Sequence, residues 1–134
     1  MTSEQSFKFD QINLVDNPAI KGQEDKYKTV TIDVTAVIND WRSSLFAHSW
    51  INPDGRMKTL EELSPVEQER RHEVEDRLSG GKAIERPILG IGLLDNVEIG
   101  SGRSIFVTLA AHQVEQLSVH IRLSNESELQ KFFI

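Results

Sequence analysis

The sequence predicts an α+β fold: a single domain with a small mixed β-sheet and helices packed on it. Three observations carry this. Val30, Ile32 and Val34 alternate with Thr29, Thr31 and Asp33, the period of a half-buried strand. Val37, Ile38, Trp41, Leu45 and Phe46 then fall at helical spacing. In the last third, short apolar runs alternate with turn residues and one further helical pattern, so strands and helix follow each other closely.

Bulk properties agree. A chain of 134 residues fits one domain with a real core. Hydrophobic residues at 38% and charged residues at 27% are ordinary globular usage, not the signature of disorder. There is no cysteine, which excludes disulfides, thiolate metal sites and thiol nucleophiles and suits a reducing compartment. The opening MTSEQSFKFDQ has no basic stretch followed by an apolar one, and no run approaches a membrane span, so a cytoplasmic location without membrane association is expected. The net charge of -6 argues against stand-alone binding of DNA, because phosphate-backbone binding runs on basic surface.

Element by element, residues 1–27 read as a polar N-terminal arm broken by Asp16-Asn17-Pro18 and Lys21-Gly22, with Phe7, Phe9, Ile12 and Leu14 able to add a short strand. The domain proper is expected over 28–134. Its first strand runs from Lys28 to Val34, and Thr35 caps a helix reaching about Phe46. Asn52-Pro53-Asp54-Gly55 is a turn, since proline fixes one dihedral and glycine allows a positive one. Asp54, Arg56 and Lys58 beside it are candidates to line a cleft. Ser64-Pro65-Val66-Glu67 combines a capping box with proline at the first helical position. The helix it opens ends at Ser79-Gly80-Gly81; its charges, paired as Glu67–Arg71 and Glu73–Arg77, make it a surface helix. Pro87 opens a buried strand, Ile88 to Leu94; Asp95-Asn96 turns the chain, and Val97-Glu98-Ile99 returns. Arg103 to His112 reads as a helix, Leu117 to Ile121 as a strand, and Asn125 to Glu128 as the capping box of a last short helix.

The candidate site is the turn Gly100-Ser101-Gly102-Arg103-Ser104. Glycines at 100 and 102 permit tight backbone and close approach of a ligand. The first amides of a helix lack internal partners and attract anions. Ser101 and Ser104 add hydroxyls, and Arg103 adds a fork that matches a phosphate. A phosphate group, and hence a nucleotide, is the candidate ligand; a turn that merely reverses the chain is the alternative. Glu98 is the carboxylate beside the turn, able to hold a metal or orient water if it faces the site, though strand alternation aims it at solvent. His48, His72, His112 and His120 lie on separate elements without ligand spacing, so no metal is expected, and His112 suits a helix C-terminus. Trp41 and Trp50 read as core.

The order from Arg86 to Ile121 also resembles a known family: an Arg-Pro-Ile strand, a hairpin, a glycine-rich turn with arginine, an alanine-containing helix and a Ser-Val-His-Ile strand. It is similar to the ParB/sulfiredoxin-like superfamily over residues 28–134. The resemblance implies that fold, a nucleotide- or phosphate-binding ParB-like module in bacterial, plasmid or phage DNA metabolism, and phosphate contacts from Gly100, Ser101, Gly102, Arg103 and Ser104. Gly102 stands where sulfiredoxins carry cysteine, which excludes their redox chemistry. Arg103 is followed by Ser104, not by the second arginine usual in ParB proteins, and His112-Gln113 replaces the small residue that usually ends the helix. Hydrolysis is therefore not expected, and the alternative function is a non-catalytic protein-interaction or regulatory (inhibitor) domain that keeps the scaffold, with a protein partner.

Overall fold

The computed structural model describes residues 12–134, which form an α+β domain with two sheets. The main sheet contains β2 (Tyr27–Asp33), β4 (Ile88–Ile91), β5 (Val97–Ile99) and β6 (Gln116–Arg122) in the order β2-β6-β4-β5. β6 runs antiparallel to β2 and parallel to β4, and β4 and β5 form an antiparallel hairpin. The sheet is therefore mixed, as expected. A second, two-stranded parallel sheet pairs β1 (Leu14–Val15) with β3 (Ile84–Glu85).

Helices α1 (Val34–Trp41), α2 (Pro65–Ser79) and α3 (Arg103–Ala111) cover the sheet, and α4 (Glu126–Leu129) follows β6. α1 packs on β5, while α2 packs on α3. The core between these layers holds Ile32, Trp41, Ile99, Phe106, Leu109 and Leu117, each fully buried. Trp50 is buried as well, so both tryptophans are core residues. No helix of the described residues is long and apolar enough to cross a membrane.

Several boundaries move from their expected places, each for a local reason. β2 gives way to α1 one residue early: Asp33, not Thr35, is the cap, its carboxylate accepting the Ala36 amide at 3.2 Å. α1 stops at Trp41, well short of Phe46. Ser44 draws the chain out of the helix by accepting the Phe46 amide at 3.0 Å and donating to Glu98 at 2.8 Å. β4 ends at Ile91, and Gly92–Asn96 forms a wider loop, closed by Gly92 N–H to the Asn96 carbonyl at 2.8 Å, with Asp95 at φ +61°. Leu93 and Leu94 therefore ride the loop tip in solvent instead of filling a buried strand.

Ser64 caps α2 as read, its hydroxyl accepting the Glu67 amide at 3.4 Å, but the Glu67 carboxylate bonds that hydroxyl and not the Ser64 backbone, so the box is half made. At Asn125 none forms, since α4 has no side-chain cap. The charges of α2 also choose other partners. Arg71 pairs with Glu75 at 2.8 Å, and Arg77 reaches across to Glu85 of β3 at 2.8 Å, in place of Glu67–Arg71 and Glu73–Arg77.

Phe7 and Phe9 lie outside the described residues. The described part of the stretch read as an arm is built into the domain: β1 pairs with β3, and Ile12, Asn17 and Ile20 are buried.

Candidate functional site

The turn after β5 is positioned by β4. The Gly100 amide donates to the Ile88 carbonyl at 2.8 Å, and the Ile88 amide donates to the Ser101 carbonyl at 3.0 Å. Gly102 has φ +83°, and a Cβ there would stand 2.9 Å from the Pro87 Cα, so glycine is required by both conformation and space. α3 begins at the next residue. Among the described residues, the amides of Gly102, Arg103, Ser104 and Ile105 meet no hydrogen-bond acceptor, as the first turn of a helix leaves them.

The side chains of the turn divide. The Ser101 hydroxyl accepts from the buried Asn17 amide at 3.0 Å, and the same Nδ2 donates to the Arg86 carbonyl at 3.0 Å. Arg103 turns the other way. Its Nε donates to the Ile99 carbonyl at 3.2 Å, and its guanidinium lies over the Phe46 ring, 4.9 Å from the centroid. Both Nη nitrogens are left without an acceptor, and Arg103 has no carboxylate within ion-pair distance among the described residues.

Arg103 and Gly100 line a pocket of about 260 Å³ whose walls are Phe46, Leu93 and Leu94, with Glu98 at its floor. Leu93 is 100% exposed, Leu45 75%, Leu94 64% and Phe46 53%. Four large apolar side chains thus surround one arginine.

Glu98 is half-buried and its carboxylate is held by protein donors, not free in solvent as strand alternation suggests. Its Oε1 accepts from Trp41 Nε1 at 3.2 Å and from the Ser44 hydroxyl at 2.8 Å; its Oε2 accepts from Asn96 Nδ2 at 3.1 Å. A Cβ on Gly92 would lie 2.7 Å from Glu98 Cγ, so that glycine makes room for the folded-in stem. Neutral donors fix this carboxylate between β5 and α1. It locks the loop after α1 to the hairpin, and so places Phe46 beside Arg103.

Behind the turn lies a second polar knot that sequence reading did not assemble. His120, fully buried on the central strand, accepts the Asn17 amide at Nε2 (3.1 Å). Its proton must then sit on Nδ1, which faces the Thr29 hydroxyl at 3.1 Å. Burial pushes the His120 pKa below its ordinary value, and Arg86 adds to this while Asp16 opposes it. Arg86 joins the knot by donating to Ser118 (2.9 Å) and Asp16 (2.9 Å). Asn17 is the link: one buried residue holds both the central histidine and Ser101 of the turn. Its Asn-Pro context reads as an ordinary turn in sequence, which is why only the fold reveals it.

The remaining histidines stay apart. His112 caps α3 and meets Glu75 Oε2 at 2.7 Å. His48 contacts the Leu45 carbonyl through Nδ1 at 2.9 Å. The described residues contain no group of three or more His, Asp or Glu arranged to hold a metal.

Compared with protein-family models, curated proteins and solved structures, the chain matches none.

Proposed function

We propose that this protein is a non-catalytic interaction module that docks a peptide segment of a partner at the Arg103 pocket. The observation that carries the reading is the ring of exposed Leu45, Phe46, Leu93 and Leu94 around an arginine with no carboxylate partner among the described residues. Exposed apolar clusters of this kind mark contact surfaces. Arginine with aromatic and aliphatic neighbours is the usual centre of such contacts. The occupant that fits is a segment offering an aliphatic or aromatic side chain next to an Asp or Glu. The side chain enters the pocket, and the carboxylate takes the free Nη donors. Glu98 supports a structural floor instead of catalysis, since its oxygens are already taken by Trp41, Ser44 and Asn96.

A displayed library of short random peptides tests this. The expected selection is for a large apolar residue beside an acidic one. Arg103→Glu and Leu93→Asp should each weaken the selected peptides by at least about tenfold, the effect of roughly 1.4 kcal/mol. No enriched pattern, or peptides indifferent to both substitutions, would refute the reading.

A second reading rests on the free amides of Gly102 to Ile105. There the turn Gly100–Ser104 binds the phosphate of a nucleotide, in the DNA-metabolism setting that the ParB/sulfiredoxin-like resemblance suggests. Calorimetry across the nucleoside triphosphates separates the two, because the peptide reading expects no heat.

A further inference from the structure

A second cleft, lined in part by the loop after α1, carries a different chemistry. It has a volume of about 590 Å³, within the range of small-molecule sites, and lies between the end of α1 and the 52–58 turn. Arg42, His48 and Lys58 line it together with Asn39, Ser43 and Asn52, and none of its lining residues is acidic. In a chain with 21 acids against 15 bases, such local separation of charge is uneven in a way that solubility does not require.

The two cations of the cleft, Arg42 and Lys58, are not drawn into ion pairs among the described residues, and His48 holds the Leu45 carbonyl through Nδ1 at 2.9 Å. Acids close in sequence to the lining are engaged: Asp40 accepts the Val97 amide at 2.7 Å, Asp54 binds the Arg56 side chain at 2.8 Å, and Glu62 accepts from the Thr59 amide at 2.8 Å and from Asn52 Nδ2 at 3.1 Å. Arg42 lies along the 52–58 turn. Its guanidinium lies so close to Gly55 that a Cβ there would meet Cζ at 2.7 Å, and Gly55 sits at φ +93°. The carbonyl end of α1 points toward the same region, so the positive character of the cleft comes from these side chains and not from a helix terminus.

We propose that this cleft binds a small phosphomonoester, a sugar phosphate in class. A phosphate brings close to two negative charges and three acceptor oxygens, which the Arg42 fork and the Lys58 ammonium can share. The Asn39 and Asn52 amides and the Ser43 hydroxyl suit the hydroxyls of a polyol. The apolar part of the lining is aliphatic, with no Phe, Tyr or Trp to stack a nucleobase. A long nucleic acid does not fit a closed patch on an acidic surface.

The test is a titration of isotope-labelled protein with ribose 5-phosphate, inorganic phosphate and ribose, followed by amide chemical shifts. Saturable shifts within residues 39–58 are expected, strongest for ribose 5-phosphate, weaker for phosphate and absent for ribose. Lys58→Glu, shown folded by its thermal transition, should weaken binding by about tenfold or more, because one charge-assisted contact is lost and a repulsion added. Arg103→Gln should leave it unchanged, which keeps this site independent of the peptide pocket. Absence of saturable shifts with both phosphates would overturn the proposal. So would equal response to ribose, indifference to Lys58→Glu, or shifts confined to residues 100–105.

Discussion

Gly102→Ala probes the turn on which the candidate site is built. The substitution does two things. It forces a Cβ into the left-handed region at φ +83°, and it pushes that Cβ to 2.9 Å from Pro87 Cα, a backbone atom unable to swing aside. The first effect costs roughly 1–2 kcal/mol. The second resembles overpacking, at roughly 1–3 kcal/mol. Gly22 supplies the control, for it has the same φ of +83° with nothing within 4 Å of its added Cβ. Both alanines also restrict the unfolded chain, a gain of roughly 0.4–1 kcal/mol that cancels between them. Urea unfolding should therefore place Gly102→Ala about 1–3 kcal/mol below Gly22→Ala, with unchanged denaturant slope. Equal destabilisation would mean that Pro87 does not confine the turn, and that the placement of Arg103 owes nothing to the start of β4.

Three further outcomes follow from buried polar groups. Thr108 is fully buried and its hydroxyl has no partner among the described residues, so Thr108→Val should stabilise by roughly 1 kcal/mol and raise the thermal midpoint by a few degrees; a loss would show that the hydroxyl is satisfied. Glu98→Ala strands the Trp41, Ser44 and Asn96 donors and should cost roughly 2–4 kcal/mol with altered tryptophan fluorescence, whereas Glu98→Gln, which keeps an acceptor, should cost less than half as much; equal losses would refute the role assigned to the carboxylate. His120 has its pKa lowered by burial, so above the ordinary value near 6.5 both states hold it neutral. As pH falls below that value the unfolded chain takes up the proton first, and stability drops until the native pKa is reached. The difference in urea midpoint between pH 7.5 and 5.5 should shrink in His120→Gln, and an unchanged difference would place the titration elsewhere.

How much of this was legible in the sequence depends on the range of the interactions involved. The strand at 28–34, the proline-led helix from Ser64 and the glycine turn before α3 are local patterns, and they recur in the fold within a residue or two. Leu45, Phe46, Leu93 and Leu94 were misplaced because periodicity assigns an apolar residue to a buried face, while Ser44 and Gly92 end their elements early. Glu98 was misread for a related reason: alternation gives the direction of Cβ, but the stem then bends over Gly92 to reach Trp41. Of the residues beside the 52–55 turn read as lining a cleft, Lys58 does so while Asp54 and Arg56 pair with each other. The Asn17–His120 contact and the part Arg42 plays in that cleft join residues from separate elements, which no spacing rule could foresee.

The pairing of β2 with β6 has a consequence for how the chain is made. It joins residues 27–33 to 116–122, and the Asn17 contact with His120 spans 103 residues. On a ribosome, β2 must wait for residues 116–122 to emerge before its neighbour exists. During that interval Val30 and Ile32 remain exposed, while α2 can form from its own caps. Closure of so long a loop is entropically costly, and folding dominated by such contacts is slow. The nascent protein should thus gain protection against proteolysis abruptly, near the release of β6, and a chain stalled before Gln116 should be cleaved throughout its N-terminal half.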